Sequence, residues 1–442
     1  MRLARRTVRT LLAAVVAGTL AVVLVPAAPA GAKSYTVDKR FFGVHDNDPT
    51  SWPAVSPGSV RLWDAGVTWR EIETSPGVYN FAKLDAQVRA ANARGAEVTL
   101  VLGMTPDFYA PAGGGRTSNP VDPASFTNYV RAVVTRYSPA NWGGVRGIAA
   151  YQVWNEANVT SFWTGTPLQM AQLTKATWNT VKSVDKGALV VGPAFAARIA
   201  EQIRGIQRFA FARVDGVAAW RFTDVISLNL YPLDKYGTAL GTPEKSMSLL
   251  AQARKLLGFG GLPPTKPIWN TEINYGMRTG AFGGTAAAPI SAQRQAAYVL
   301  RTYLLNAANG VKRVDWYSYD LGRLSSGGTL GNTLLSDPAN RSTPTLAGKA
   351  FVLAQNWLLK GTLVGSSKSA LPCAKDRAGT YTCVIKYGGG YKRVYWNPTK
   401  KATVVAARGA TFKVGVYGVR SKVKKGARVV IDYRPVMVRS KY

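Results

Sequence analysis

Acidic side chains are scarce in this sequence. Its 442 residues include 56 Lys and Arg against 23 Asp and Glu, and only seven of the acids are Glu, at 71, 73, 97, 156, 201, 244 and 272. Histidine occurs once, as His45, and cysteine twice, as Cys373 and Cys383. Two Cys and one His leave no zinc-site spacing. A Ser-His-Asp triad would have to use His45, and the Gly-x-Ser-x-Gly elbow is missing. No Gly-rich phosphate loop follows the first strand-like segment, and no cofactor is expected. Carboxylate chemistry is what this elimination leaves, so the setting of each Glu matters. The two cysteines, ten residues apart in a Gly/Thr/Tyr-rich stretch, are expected to staple a loop or hairpin if the compartment is oxidising.

Long apolar runs are also missing beyond the N-terminus. Arg2, Arg5, Arg6 and Arg9 precede the apolar stretch Leu11–Val25, and Ala30-Gly31-Ala32 follows as a small-x-small cleavage site. Residues 1–32 therefore read as a signal peptide, too short in its apolar part for a comfortable membrane span. The mature chain is expected outside the cell or at the cell wall, with no transmembrane anchor. Its charge is uneven: Lys360–Tyr442 carries 19 Lys and Arg against Asp376 and Asp432 alone. Such charge attracts polyanions, and for a secreted chain these are wall polymers or acidic polysaccharide. Nucleic acid is not expected, because no nucleic-acid-binding signature accompanies the charge. A basic surface kept for solubility would look the same.

Strand-like segments at Phe41–His45, Val60–Asp64, Glu97–Met104, Ile148–Glu156, Leu189–Phe195, Asp224–Tyr231, Ile268–Ile273 and Arg313–Tyr319 alternate with helical patterns. The segments are short, apolar and mostly non-alternating, as parallel strands buried on both faces are. Asp122-Pro123, Thr166-Pro167 and Thr242-Pro243 each place a capping residue before Pro at the first helical position. Eight β-then-α units predict an α/β fold, a (β/α)8 TIM barrel over residues 33–360. An open doubly wound sheet is the competing arrangement. From residue 361 to 442 short β runs split by Gly, Lys and Pro predict a small C-terminal antiparallel β-sandwich.

Two of the seven Glu share an unusual setting. In Tyr151–Thr160, "YQVWNEANVT", an apolar strand runs into Asn155-Glu156; in Pro267–Gly276, "PIWNTEINYG", another runs into Glu272. These are the fourth and seventh strands, and barrel enzymes keep their chemistry at the C-terminal ends of strands. Two carboxylates at one mouth suit glycosidic bond cleavage, one protonated for the leaving oxygen and one anionic. A rim ion pair for each Glu is the plainer alternative.

"WNEAN" at Trp154–Asn158 with "TEINYG" at Thr271–Gly276 resembles clan A of the glycoside hydrolases. "SVRLWDAGVTWREIETSPGVYNFAKLD", "LVLGMTPDFYA" and "TPTLAGKAFVLAQNWLLKG" are similar to further segments of family 39-type sequences, and the resemblance covers roughly residues 40–360. It implies Glu156 as general acid/base and Glu272 as nucleophile. It further implies Asn155 on the sugar 2-hydroxyl, Arg61 and Tyr231 on Glu272, and Trp316 as the pocket floor. Where many clan members carry His two residues before the strand-six Tyr, this chain has Asn229. His45 is expected to make a sugar contact or to be an ordinary loop residue. Aromatics at 52, 63, 108, 109, 162, 163 and 275 are candidates for a substrate groove.

The expected activity is that of a secreted retaining β-glycosidase on a polysaccharide or oligosaccharide, its carboxyl groups about 5–5.5 Å apart. A non-catalytic glycan- or wall-binding protein and an exopolysaccharide-remodelling transglycosylase share the same residues and stay open.

Overall fold

The computed structural model describes residues 34–50, 52, 55–232, 241–259, 261–275, 290–319, 333–365 and 369–441; the expected signal segment, residues 1–32, lies outside them. Eight parallel strands close into a barrel in chain order. They are β1 (Phe42–His45), β2 (Ser59–Leu62), β3 (Glu97–Val101), β4 (Ala150–Gln152), β5 (Leu189–Ala196), β6 (Val225–Asn229), β7 (Ile268–Ile273) and β8 (Arg313–Tyr317). Strand β8 pairs back onto β1 through Val314–Phe42 to Tyr317–His45. All eight expected strands are present, and the barrel is closed rather than open.

Among the described residues seven long helices surround it: α1 (Ala82–Ala93), α2 (Pro123–Tyr137), α3 (Pro167–Val184), α4 (Ala200–Phe211), α5 (Pro243–Phe259), α6 (Ala292–Ala308) and α7 (Leu346–Leu358). Among the described residues no such helix joins β1 to β2, a departure from the strict repeat. The local signals act as expected at the helix starts. Asp122 accepts from the Ala124 amide, and Thr166 and Gln169 form a reciprocal capping box.

Strands β1, β2, β6, β7 and β8 are buried at every residue. Helices cover the outer face and side chains fill the inner one, which removes the polar–apolar alternation of a half-exposed strand. Polarity instead marks the barrel interior: Arg61, Thr99, Gln152, Ser227, Arg313 and Asp315 are all buried and polar. Ala150, Val191, Val225 and Trp269 form an apolar layer near the strand starts.

After α7 come β9 (Gly361–Val364), β10 (Cys373–Lys375), β11 (Tyr381–Tyr387), β12 (Gly390–Trp396), β13 (Ala402–Val405), β14 (Ala410–Val414), β15 (Arg420–Lys422), β16 (Arg428–Ile431) and β17 (Val436–Ser440). They form antiparallel sheets, β13 and β16 pairing apart from the rest. Cys373 and Cys383 face each other across β10 and β11 and are disulfide-bonded. The larger sheet also takes Ser34–Thr36, which precedes the barrel in sequence and pairs with β9. Trp396 of β12 donates to Glu244 at the start of α5 (2.8 Å), and Glu244 is ion-paired to the buried Arg301 of α6. Leu363, Ile385, Val394, Trp396 and Met437 belong to the same apolar core as the barrel helices, so the sheet is built onto the barrel wall. Among the described residues no helix is long and apolar enough to cross a membrane.

Candidate active site

Glu156 and Glu272 lie beyond or at the C-terminal ends of β4 and β7, 2% and 6% exposed. Regular pairing of β4 ends at Gln152, but backbone bonds continue past it: Val153 to Val191, Ala194 to Trp154, and Ala157 to Ala194. This tether holds Glu156 at φ +40°, a left-handed conformation that a non-Gly residue adopts at a cost of about 1–3 kcal/mol. The strained turn aims the carboxyl into the barrel mouth. Glu272 is aimed by a different device. Thr271 already faces Ser227 inside the barrel, and a register shift between Asn270 and Ile273 lets Glu272 turn inward as well.

Arg61, fully buried on β2, reaches three partners with its planar fork. It donates to Glu272 (2.5 Å), Gln152 (2.7 Å) and Asn155 (2.7 Å). Tyr231 donates its hydroxyl to the other oxygen of Glu272 at 3.1 Å. Burial and the charge of Glu272 push the Tyr231 hydroxyl well above its ordinary range, so it stays a donor. On Glu156, one oxygen accepts from Arg198 (2.9 Å) and Asn229 (3.1 Å).

The two sides form one continuous network. Gln152, its oxygen taken by Arg61, donates to Ser227 (2.5 Å); Ser227 meets Thr271 (2.6 Å); and Thr271 donates to the Asn229 oxygen (2.8 Å). The amide nitrogen of Asn229 therefore faces Glu156. Each buried polar group in the chain has a partner on either side, which fixes rotamers and hydrogen directions together.

Burial raises the Glu156 carboxyl above its ordinary range; Arg198 opposes this and the charge of Glu272 adds to it. Glu272, by contrast, is met by a guanidinium and a phenol. The pair is thus asymmetric, one carboxyl pushed toward its neutral form and the other surrounded by donors.

Strand β8 revises the expected pocket floor. Trp316 is fully buried, donates to the Thr333 carbonyl (2.7 Å) and packs on Tyr275 on the helix side of the strand. The inner face belongs to Arg313, Asp315 and Tyr317. Tyr317 packs on His45 with ring centroids 4.5 Å apart and donates to Asp64 (2.8 Å). His45 is buried, and its Nε2 hydrogen-bonds the other oxygen of Asp64. Burial works against the Asp64 carboxylate, but the His45 charge and the hydrogen bonds of His45 and Tyr317 hold it at about 2. A sugar contact from His45 would thus run through its ring edge or through Asp64.

The groove aromatics also differ from expectation. Trp52, Trp163 and Tyr275 are buried, and their polar atoms are engaged by Asp46, Thr166 and Thr302. Trp63 is buried against Phe162, and Tyr109 donates to Glu73 (3.0 Å). Phe108 alone of the seven is broadly exposed, at 44%. Most of these rings pack loops against the barrel.

Sequence reasoning did not single out Arg198, Gln152, Asp64, Asp315 or Tyr317 as site residues. Arg198 ends the apolar β5 segment much as Glu156 ends β4, but among 56 basic residues that signal is drowned. For Tyr317 the signal was present: Arg313 and Asp315 mark the inner face, and a period of two leads to 317, not 316.

Asp315 lies below the network, fully buried, and neither oxygen has a hydrogen-bond partner among the described residues. A side chain at Gly43 would collide with it. Burial pushes its carboxyl up to about 6, with the charges of Arg313, Arg61 and His45 opposing and Glu272 adding. The folded protein then keeps a proton that the unfolded chain loses near pH 4, so stability falls as pH rises toward 6 and stays lower above it. Asp315→Asn is expected to stabilise the protein by about 2 kcal/mol at pH 7 and by little near pH 3.5. Denaturant midpoints at both pH values check this; equal gains at both would show that ionisation is not the cause.

The architecture matches solved glycoside hydrolases. A family 39 glycoside hydrolase from Bacteroides cellulosilyticus WH2 superposes with a TM-score of 0.66 at 16% identity, over 92% of this chain and 82% of that one. A family 39 β-xylosidase from Caulobacter crescentus gives 0.59 at 14% identity, over 93% and 98%. A family 30 endoxylanase from Clostridium papyrosolvens C71 gives 0.57 at 13%, over 92% and 98%. At such identities the likeness establishes a shared fold. No family model and no curated protein sequence matches the chain.

Proposed function

We propose that this protein is a secreted, retaining glycosidase that cleaves β-linked polysaccharide or oligosaccharide. The observation that carries the reading is the asymmetric pair of buried glutamates joined by one hydrogen-bond network at the barrel mouth. Glu272, faced by Arg61 and Tyr231, attacks the anomeric carbon. Glu156, raised by burial, gives its proton to the departing oxygen. It then takes a proton from water, which displaces Glu272 and releases the sugar with its configuration retained. Asn155, oriented by Arg61, is the donor for the hydroxyl next to the reacting carbon. The glycoside hydrolases that share the fold support this reading, and the N-terminal Arg/apolar/small-residue segment supports secretion. The basic sandwich would hold the enzyme near an anionic wall, a pull that weakens as salt shortens the Debye length below about 8 Å.

A depolymerisation screen tests it. Wild-type protein is incubated with β-glucans, mannans, xylans, arabinans, uronic-acid polymers and bacterial exopolysaccharide, and the first products are read by NMR. Cleavage with retained configuration is expected; inversion, or binding without cleavage of any substrate, would overturn the assignment.

Arg198 sets the working pH of Glu156 in this scheme. Its charge favours the carboxylate, so removing it raises the carboxyl further and keeps the acid protonated to higher pH. Arg198→Gln is expected to move the basic limb of kcat/KM up by about one unit. An unmoved or lowered limb would mean that Glu156 is not the titrating acid.

A further inference from the structure

We infer that a groove on the outer wall of the barrel, remote from the catalytic network, is a binding site for an acidic oligosaccharide segment. It lies where α1 and α2 meet the loop after α2, has a volume of about 800 Å³, and is lined by none of the network residues. That volume falls in the range of about 300–1,000 Å³ usual for ligand sites. Its walls carry three aromatic rings, Tyr79, Phe81 and Trp142, and three guanidinium groups, Arg89, Arg131 and Arg136. Among the described residues no Asp or Glu lines it.

The arginines are arranged rather than scattered. Arg89 stacks over Trp142 at 4.4 Å and Arg136 over Phe81 at 4.8 Å, while Tyr79 stacks on Phe81 at 5.8 Å. Stacking holds a guanidinium flat and points its N–H edge outward, so less side-chain freedom is lost when an anion arrives. Arg136 is committed to Asp85, whose carboxylate also accepts from Tyr137 (2.8 Å). Arg89 and Arg131 are exposed and make no ion pair among the described residues.

An exposed helical face usually mixes charge signs; here both helices offer cations to one concavity edged by rings. The fork of an Arg matches a carboxylate, and an aromatic face suits the C–H surface of a pyranose. A chain of uronate-type sugars presents both features at each unit, whereas a neutral glycan presents one. The proposal rests on the reading that this protein meets polysaccharide, and it adds a site that would tether such a chain while the mouth acts on it.

The test uses the full-length protein at fixed ionic strength, titrated calorimetrically with a short oligogalacturonate and with a neutral xylo-oligosaccharide of equal length. Wild type is expected to bind the acidic oligomer at least about tenfold more tightly than the neutral one, and Arg89→Gln with Arg131→Gln to lose about tenfold in affinity. Lys186→Gln with Lys255→Gln, which removes the same charge from exposed barrel positions outside the groove, is expected to lose less than about twofold. Equal affinity for the two oligomers, or equal losses in the two double variants, would overturn the groove and leave only general charge attraction. Turnover of a small aryl glycoside is read in parallel. Groove binding without turnover by wild type would sink the glycosidase reading alone, and turnover without selective groove binding would sink this one alone.

Discussion

Glu272→Ala is expected to lower turnover on the order of 100,000-fold, the low end of the effective molarity lost with a positioned nucleophile. Glu156→Ala is expected to lose about 100- to 10,000-fold, as removal of a general acid does, and less on substrates whose leaving group needs no proton. The two losses have different remedies. Azide fills the space left by the Glu272 carboxyl and attacks the anomeric carbon directly, giving a glycosyl azide of inverted configuration. In the Glu156 variant the glycosyl-enzyme still forms and azide displaces it, giving the retained configuration. NMR of the two products assigns both roles in one experiment. Identical configurations from both variants, or full activity in either, would remove the double-displacement scheme.

The second large effect concerns Arg61. Its guanidinium is fully buried and donates to Glu272, Asn155 and Gln152. In Arg61→Met the carboxylate of Glu272 is left buried without its cation, and two amide oxygens lose a donor. Breaking one side of a buried pair costs about 3–5 kcal/mol, chiefly because a charge is left uncompensated. Arg61→Lys keeps a charge but not the three-way fork, and is expected to fall between Met and wild type. Adding Glu272→Gln to Arg61→Met removes the stranded charge and should restore about half of the lost stability. Denaturant midpoints of wild type, Arg61→Met, Glu272→Gln and the double variant give the coupling energy. A value below about 0.5 kcal/mol would mean that the pair is not energetically linked.

Glu156 and Glu272 stand out because acids are rare here and both close an apolar strand, a setting for which a rim ion pair is the plainer alternative. Arg61 also interrupts an apolar run, "SVRLW", but its place beside Glu272 was implied only by the resemblance. The eight strands and three of the seven long-helix starts were equally plain, since parallel strands buried on both faces and Thr-Pro or Asp-Pro starts leave local marks. Tyr317 in place of Trp316 was decided by which face of β8 looks inward. Arg313 and Asp315 mark that face in the sequence, and the pairing of β8 with β1 sets Tyr317 opposite His45.

The sequence alone thus determined the fold class and the antiparallel region after the barrel, and it singled out the two carboxylates proposed to act, because each rests on local chemistry: period, caps and rarity. The tertiary structure alone decided how those carboxylates differ. Glu156 gains Arg198 from the end of β5, Asn229 from β6 and a strained backbone tethered to β5; Glu272 gains Arg61 from β2 and Tyr231 from the turn after β6. It also decided that Ser34–Thr36, at the far end of the chain, completes the C-terminal sheet. None of these neighbours is close in sequence. The protonation and orientation of a buried carboxyl depend on charges and donors within a few ångströms, and closing the barrel is what brings them there.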